Sequence, residues 1–148
     1  MSQLSPSATD IDILARTLYG EARGEGIAGM SAVAHVILNR VRRRRWYGAG
    51  VPGYPDHSIA AVCLKAWQFS CWNAADPNRP KLIAADLSDP ALRRAMLVAC
   101  AVVNDEPGFT DATQGADHYH TRSVSPDWAQ GRKPVVSIGG HLFYNDIP

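Results

Sequence analysis

The chain has 148 residues, 46% of them hydrophobic and 20% charged, which is enough for one compact domain with its own core and no need of staples. The formal net charge of +1 argues against a whole-domain polyanion binder, so nucleic acid is not an expected partner. The dense basic block of Arg40 and Arg42 through Arg45 reads as a solvated helix end.

Residues 1–9 are expected to form a flexible lead into a single domain over 10–148. The stretch Met1–Asp12 lacks a basic start and an apolar run, so no signal peptide is expected, and no later segment approaches a membrane span. Synthesis in the cytoplasm, with release by something outside this chain, follows as the expectation, as does a monomer without stable membrane insertion. The first helix is predicted from an N-cap at Thr9 or Asp10 to about Arg23, with Ile11, Leu14, Ala15 and Leu18 on its apolar face. A second is predicted after Gly29, with Met30, Val33, Ala34, Ile37, Leu38 and Val41 on one stripe. Three glycines and two prolines make 46–56 a loop. A short helix follows from Ser58 to about Leu64, and then irregular or extended chain over 67–72. Ser88 or Asp89 caps a further helix with Pro90 in its first turn. Beyond Pro107 the chain turns polar and aromatic, with little obvious sheet, so a mostly α domain of α+β type is the predicted fold class.

The segment with the most chemical content is Tyr19-Gly20-Glu21-Ala22-Arg23-Gly24-Glu25. The apolar face of the first helix carries Glu21 or Ala22 next, where Gly20 and Gly24 are expected to loosen the helix. A carboxyl at the mouth of a core suits general acid work, since partial desolvation favours the protonated form. Glu25, four residues on, reads as a surface charge, because Gly24 breaks the helix that would pair the two carboxylates on one face.

His35, His118, His120 and His141, with Asp117 or Glu21, are the residues a metal cluster would use. No His-Glu-x-x-His occurs, and scattered histidines are more often structural, so neither metal nor cofactor is expected. Cys63, Cys71 and Cys100 form no Cys-x-x-Cys pair and read as small core residues, with a Cys63–Cys71 bridge left open. Trp67, Phe69, Trp72, Tyr119, Trp128 and Tyr144 are numerous enough to line a cleft suited to sugar rings, core packing being the competing reading for at least half of them.

Over Ile11 through Tyr144 the chain resembles the SleB-type cell wall hydrolases, which include spore cortex-lytic enzymes and phage and proteobacterial lytic proteins. The resemblance rests on Ala15 through Glu25 and on the helix ending Leu38-Asn39-Arg40-Val41. It continues in Gln68-Phe69-Ser70, in Ala116 with Tyr119, and in Ile138-Gly139 with His141 and Phe143-Tyr144. It implies a lysozyme-like, lytic transglycosylase-like fold that cuts peptidoglycan strands between N-acetylmuramic acid and N-acetylglucosamine, as a lytic transglycosylase or muramidase. Glu21 is then the catalytic acid. Substrate contacts fall to Tyr19, Glu25, Gln68, Phe69, Ser70 and Tyr119, with hydrogen bonds to sugar hydroxyls or N-acetyl groups from Gln68 and Ser70, and Tyr119 stacking on a sugar or orienting Glu21. His141 is assigned a structural place. The rival readings are an amidase using zinc held by His118, His120 and His141, and a wall-binding protein without turnover.

Overall fold

Five helices and a three-stranded sheet make up residues 5–148, the part of the chain that the computed structural model describes. Helix α1 (Ala8–Ala22) starts a little earlier than predicted, because Ser7 and not Thr9 or Asp10 is its N-cap. Ser7 Oγ accepts from Asp10 N at 3.1 Å and Asp10 Oδ2 accepts from Ser7 N at 3.0 Å, a reciprocal capping box. Ala8 and Thr9 are therefore helical and not part of a flexible lead; residues 1–4 of that expected lead lie outside the described residues. Gly20 does not loosen the helix, which runs on to Ala22.

Helix α2 (Gly26–Arg43) begins four residues before the predicted start, and it is buried on more than one face. The predicted stripe, Met30 through Val41, packs into the main core with α1 and α5. A second row, Ala32, Val36 and Arg40 at four-residue spacing, faces the sheet, where the two apolar members meet Ala116 and Phe143. A third row is polar. His35 Nε2 lies 2.7 Å from Phe109 O, Asn39 donates to Ala116 O and Asp111, and Arg43 donates to Gly115 O, so this row holds the 105–117 segment.

The basic block is thus only partly a solvated helix end. Arg42, Arg44 and Arg45 are exposed, but Arg40 is buried and Arg43 half-buried. Asp117, fully buried, takes an ion pair from Arg43 and a contact from His118 Nδ1 at 2.9 Å.

Helices α3 (Ile59–Leu64) and α5 (Pro90–Val103) fall where predicted, capped by Ser58 and Asp89. Helix α4 (Asn78–Ala84) was not predicted, because Pro77 and Pro80 punctuate it. Pro80 sits in the first turn, where a backbone N–H has no intrahelical acceptor to lose, so it is tolerated there. The carbonyls at the end of α4 are taken by Arg16, which donates to Leu82 O and Ala85 O.

Strands β1 (His118–Thr121), β2 (Val136–Ile138) and β3 (His141–Tyr144) form an antiparallel sheet in the order β1-β3-β2, where little sheet was expected. The register pairs Tyr119 with Phe143 and Val136 with Phe143. Gly139-Gly140 joins β2 to β3 as a two-residue hairpin, with Gly139 at φ +57°, a conformation that favours glycine. Cys63 and Cys71 are both buried and both free, so the bridge left open by the sequence is not formed.

Candidate active site

Glu21 stands in the last turn of α1, between the helical layer and the sheet. A groove runs past it in two parts. One, about 390 Å³, is lined by Glu21, Glu25, Thr121, Arg122, Ser123 and His141, with Gly140 at its edge. The other, about 270 Å³, is lined by Glu21, Arg40, Trp67, Gln68, Tyr119 and Trp128 among others. Glu21 is common to both. A larger depression of about 610 Å³ lies at the opposite end of α1, where Asp10 accepts from Ser7 N and Ala60 N and Asp56 accepts from Gly50 N.

Both oxygens of Glu21 are held. Tyr119 Oη donates to Oε1 at 2.6 Å, and the backbone N–H of Cys71 donates to Oε2 at 3.3 Å. Cys71 belongs to a single 3₁₀ turn, Ser70–Trp72, which can lie this close to α1 only because residue 20 is glycine. A Cβ at Gly20 would fall 2.6 Å from Cys71 Cβ and 2.7 Å from its Sγ. Burial raises the Cys71 thiol well above its ordinary value, and the nearby Glu21 charge adds to the effect, so the sulfur is a packing group and not a nucleophile.

Tyr119 is enclosed by His141, Phe143 and Phe69, with ring centroids at 4.9, 5.7 and 6.5 Å. Burial first, and then the Glu21 charge, push its phenol well above the ordinary value. It stays protonated and remains a donor to Glu21. The ring faces aromatic neighbours, and the hydroxyl is committed to the carboxylate.

The remaining predicted residues divide. Gln68 lines the aromatic part of the groove, with Oε1 accepting from Arg40 at 3.0 Å. Ser70 is exposed beside it, and Phe69 is buried as the floor. Glu25 lines the other part, but Oε1 accepts from Gly140 N at 2.6 Å, so this carboxylate braces the β2–β3 turn. Tyr19 does not reach the groove. It points away from Glu21 and donates to Asp89 Oδ2 at 2.7 Å at the start of α5, with Arg23 over its ring.

Among the described residues no group of three or more His, Cys, Asp or Glu side chains converges to hold a metal ion. His118 is turned to Asp117 and packed on Trp128, His120 Nε2 meets Tyr144 Oη at 2.9 Å, and His141 is buried beside Tyr119. Burial lowers the His141 pKa, against the opposing pull of Glu25 and Glu21, so its imidazole is neutral at pH 7.

Three contributors were missed by sequence reasoning: the Cys71 N–H, the Arg40 contact to Gln68, and Arg122. The first is a backbone donor and leaves no side-chain signal. Trp67, 82% exposed with φ +67° at the rim of the aromatic part, carries one sign of the sharp turn that delivers this segment.

One doubly held carboxylate stands at the junction of a groove between the helical layer and the sheet. The cell wall hydrolase family matches residues 24–144, and the chain belongs to that family. The matched span begins just after Glu21. A spore cortex-lytic enzyme of Halalkalibacterium halodurans is 32% identical over 140 residues, covering 94% of this chain and 36% of that protein. The chain thus spans about a third of that relative's length. Among solved structures, the catalytic domain of the germination-specific lytic transglycosylase SleB from Bacillus anthracis has a TM-score of 0.64 at 26% identity, over 97% of this chain and 98% of that one. The catalytic domain of the Bacillus cereus SleB protein gives 0.64 at 28% identity, over 94% and 91%.

Proposed function

We propose that this chain cleaves the glycan strands of peptidoglycan between N-acetylmuramic acid and N-acetylglucosamine as a lytic transglycosylase, with Glu21 as its acid and base. The observation that carries the reading is the position of Glu21, held by Tyr119 and the Cys71 N–H where it lines, with Thr121, both parts of the groove. The strand lies along the groove with the scissile bond over this carboxyl. Glu21 donates its proton to the glycosidic oxygen as the C1–O bond breaks and an oxocarbenium-like centre forms at the muramic C1. The muramic C6 hydroxyl then attacks C1 and gives its proton back to Glu21. The leaving sugar gains a hydroxyl, the muramic end closes as a 1,6-anhydro ring, and Glu21 returns to its starting state.

This route needs no second carboxylate to activate water, which agrees with the occupation of Glu25 by Gly140. Exposed Trp67 and half-buried Trp128 offer aromatic faces for sugar rings in one part of the groove. The test is mass spectrometry of the soluble products from purified sacculi. The wild-type chain is expected to release muropeptides with 1,6-anhydromuramic ends, and Glu21→Gln to slow release by about 10²–10⁴-fold with the melting temperature nearly unchanged. Reducing muramic ends would replace transglycosylation by hydrolysis, and free stem peptides would overturn the reading.

A further inference from the structure

Arg40 is 5% exposed, and its guanidinium lies between the rings of Tyr47 and Phe69, 5.2 Å from each centroid. Its Nε donates to Asp117 O at 2.7 Å and one Nη to Gln68 Oε1 at 3.0 Å. The second contact settles which way the Gln68 amide faces. A guanidinium only donates, so the carboxamide oxygen must be the atom turned to Arg40, and the NH₂ must point the other way. That NH₂ has no protein acceptor among the described residues and is not a buried orphan. Gln68 lines the groove beside Glu21.

We propose that Arg40 is a positioning residue that locks Gln68 as a fixed hydrogen-bond donor for the acetamido carbonyl of the sugar bound beside Glu21. A sugar hydroxyl can also accept from such a donor, but it is the weaker acceptor and has a proton of its own to place. An acetamido carbonyl only accepts, and is selected by a fixed donor. Val124 and Trp128 line the same part of the groove and give the acetyl methyl an apolar seat. The proposal rests on the glycan-cleaving reading and adds to it the group that is recognised and the residue that sets the recognition.

The test is a binding measurement, so that it does not depend on bond cleavage. Titration calorimetry compares an N-acetylglucosamine tetramer with a glucose tetramer, both neutral and differing at C2, on the full chain carrying Glu21→Gln. The acetylated tetramer is expected to bind at least about tenfold more tightly. Adding Gln68→Glu replaces the NH₂ by a second acceptor while an oxygen still meets Arg40, so the fold is kept, and the preference is expected to fall to within about twofold. Arg40→Met lets the amide turn over and loses part of the preference, which Arg40→Lys restores by keeping a donor at Oε1. In turnover of sacculi Arg40→Met raises KM more than it lowers kcat. A chain that binds both tetramers alike, or a Gln68→Glu variant that keeps the full preference, overturns the proposal. Absence of muropeptide release with the preference intact would overturn the catalytic reading and leave this one standing.

Discussion

The helical layer and the small sheet are held by different forces. The helices bury Leu14, Leu18, Met30, Ile37, Leu92 and Val98 almost completely in one apolar core, and α1, α2 and α5 each carry an apolar stripe. The sheet has strands of three or four residues and a minor apolar cluster with α2. Polar contacts from distant segments do much of the rest: Glu25 to Gly140 N, Arg40 and Arg43 to the Asp117 region, and Asp117 N to Tyr144 O. The chemistry sits where the two meet, with Glu21 from the helical layer and Tyr119 from the sheet. The helix that carries the acid is anchored by bulk packing and the strand that carries its partner largely by a few polar bonds, so single substitutions can loosen the sheet while the helical core persists.

The largest effect is expected at Asp117. Burial alone pushes this carboxyl up, but the His118 hydrogen bond and the charges of His118 and Arg43 outweigh it and leave it below the ordinary aspartate value of 3.8. A group whose folded pKa is depressed contributes stability in full above its unfolded value and loses it as pH falls toward the folded one. Asp117→Asn is expected to cost about 3 kcal/mol at neutral pH and to flatten the loss of stability below about pH 4. Thermal melts across that range check both, and a variant with the wild-type acid limb would show that the sheet does not depend on this charge.

Glu25→Ala is expected next, at about 1–3 kcal/mol, with faster hydrogen exchange at the Gly140 amide and little change along α1. Unchanged exchange at Gly140 would show that the hairpin holds itself. Tyr119→Phe removes one hydroxyl and keeps the ring packing. It is expected to lower kcat by about tenfold while KM moves little, and an equal rise in KM would instead make Tyr119 a substrate contact. The smallest effect concerns the thiols. Burial raises Cys63 to about 12 and Cys71 higher still, whereas Cys100 is exposed. A thiol reagent should label one site on the native chain, and a reductant should leave the melting temperature unchanged.

The same contrast explains what the sequence could tell. The stripes of α1, α2 and α5 were legible because one helix face meets one core, and Asp89-Pro90 and Ser58 mark starts by known cap chemistry. Helix α4 was hidden because Pro77 and Pro80 look like loop punctuation until Pro80 is placed in a first turn. The sheet was missed because its strands are too short for a two-residue period to declare itself, although Gly139-Gly140 between Val136-Ser137-Ile138 and His141-Leu142-Phe143 is a hairpin signal. Glu21 stands out in the sequence by its place after an apolar face and by the family resemblance, which also points to Tyr119. The Cys71 N–H and the Arg40–Gln68 pair depend on contacts between segments 28 and 50 residues apart, which no local pattern encodes.

Two glycines bracket the motif Glu21-Ala22-Arg23, and on paper they look equivalent. Space separates them: a methyl group at Gly24 meets nothing within 4 Å, while one at Gly20 collides with Cys71 and with Leu82 Cδ2 at 2.9 Å. In a library of variants selected only for a folded chain, position 24 should therefore drift freely among small residues. Position 20 should return glycine nearly every time, and the rare survivors should be those in which the 70–72 turn has retreated and taken its N–H away from the acid.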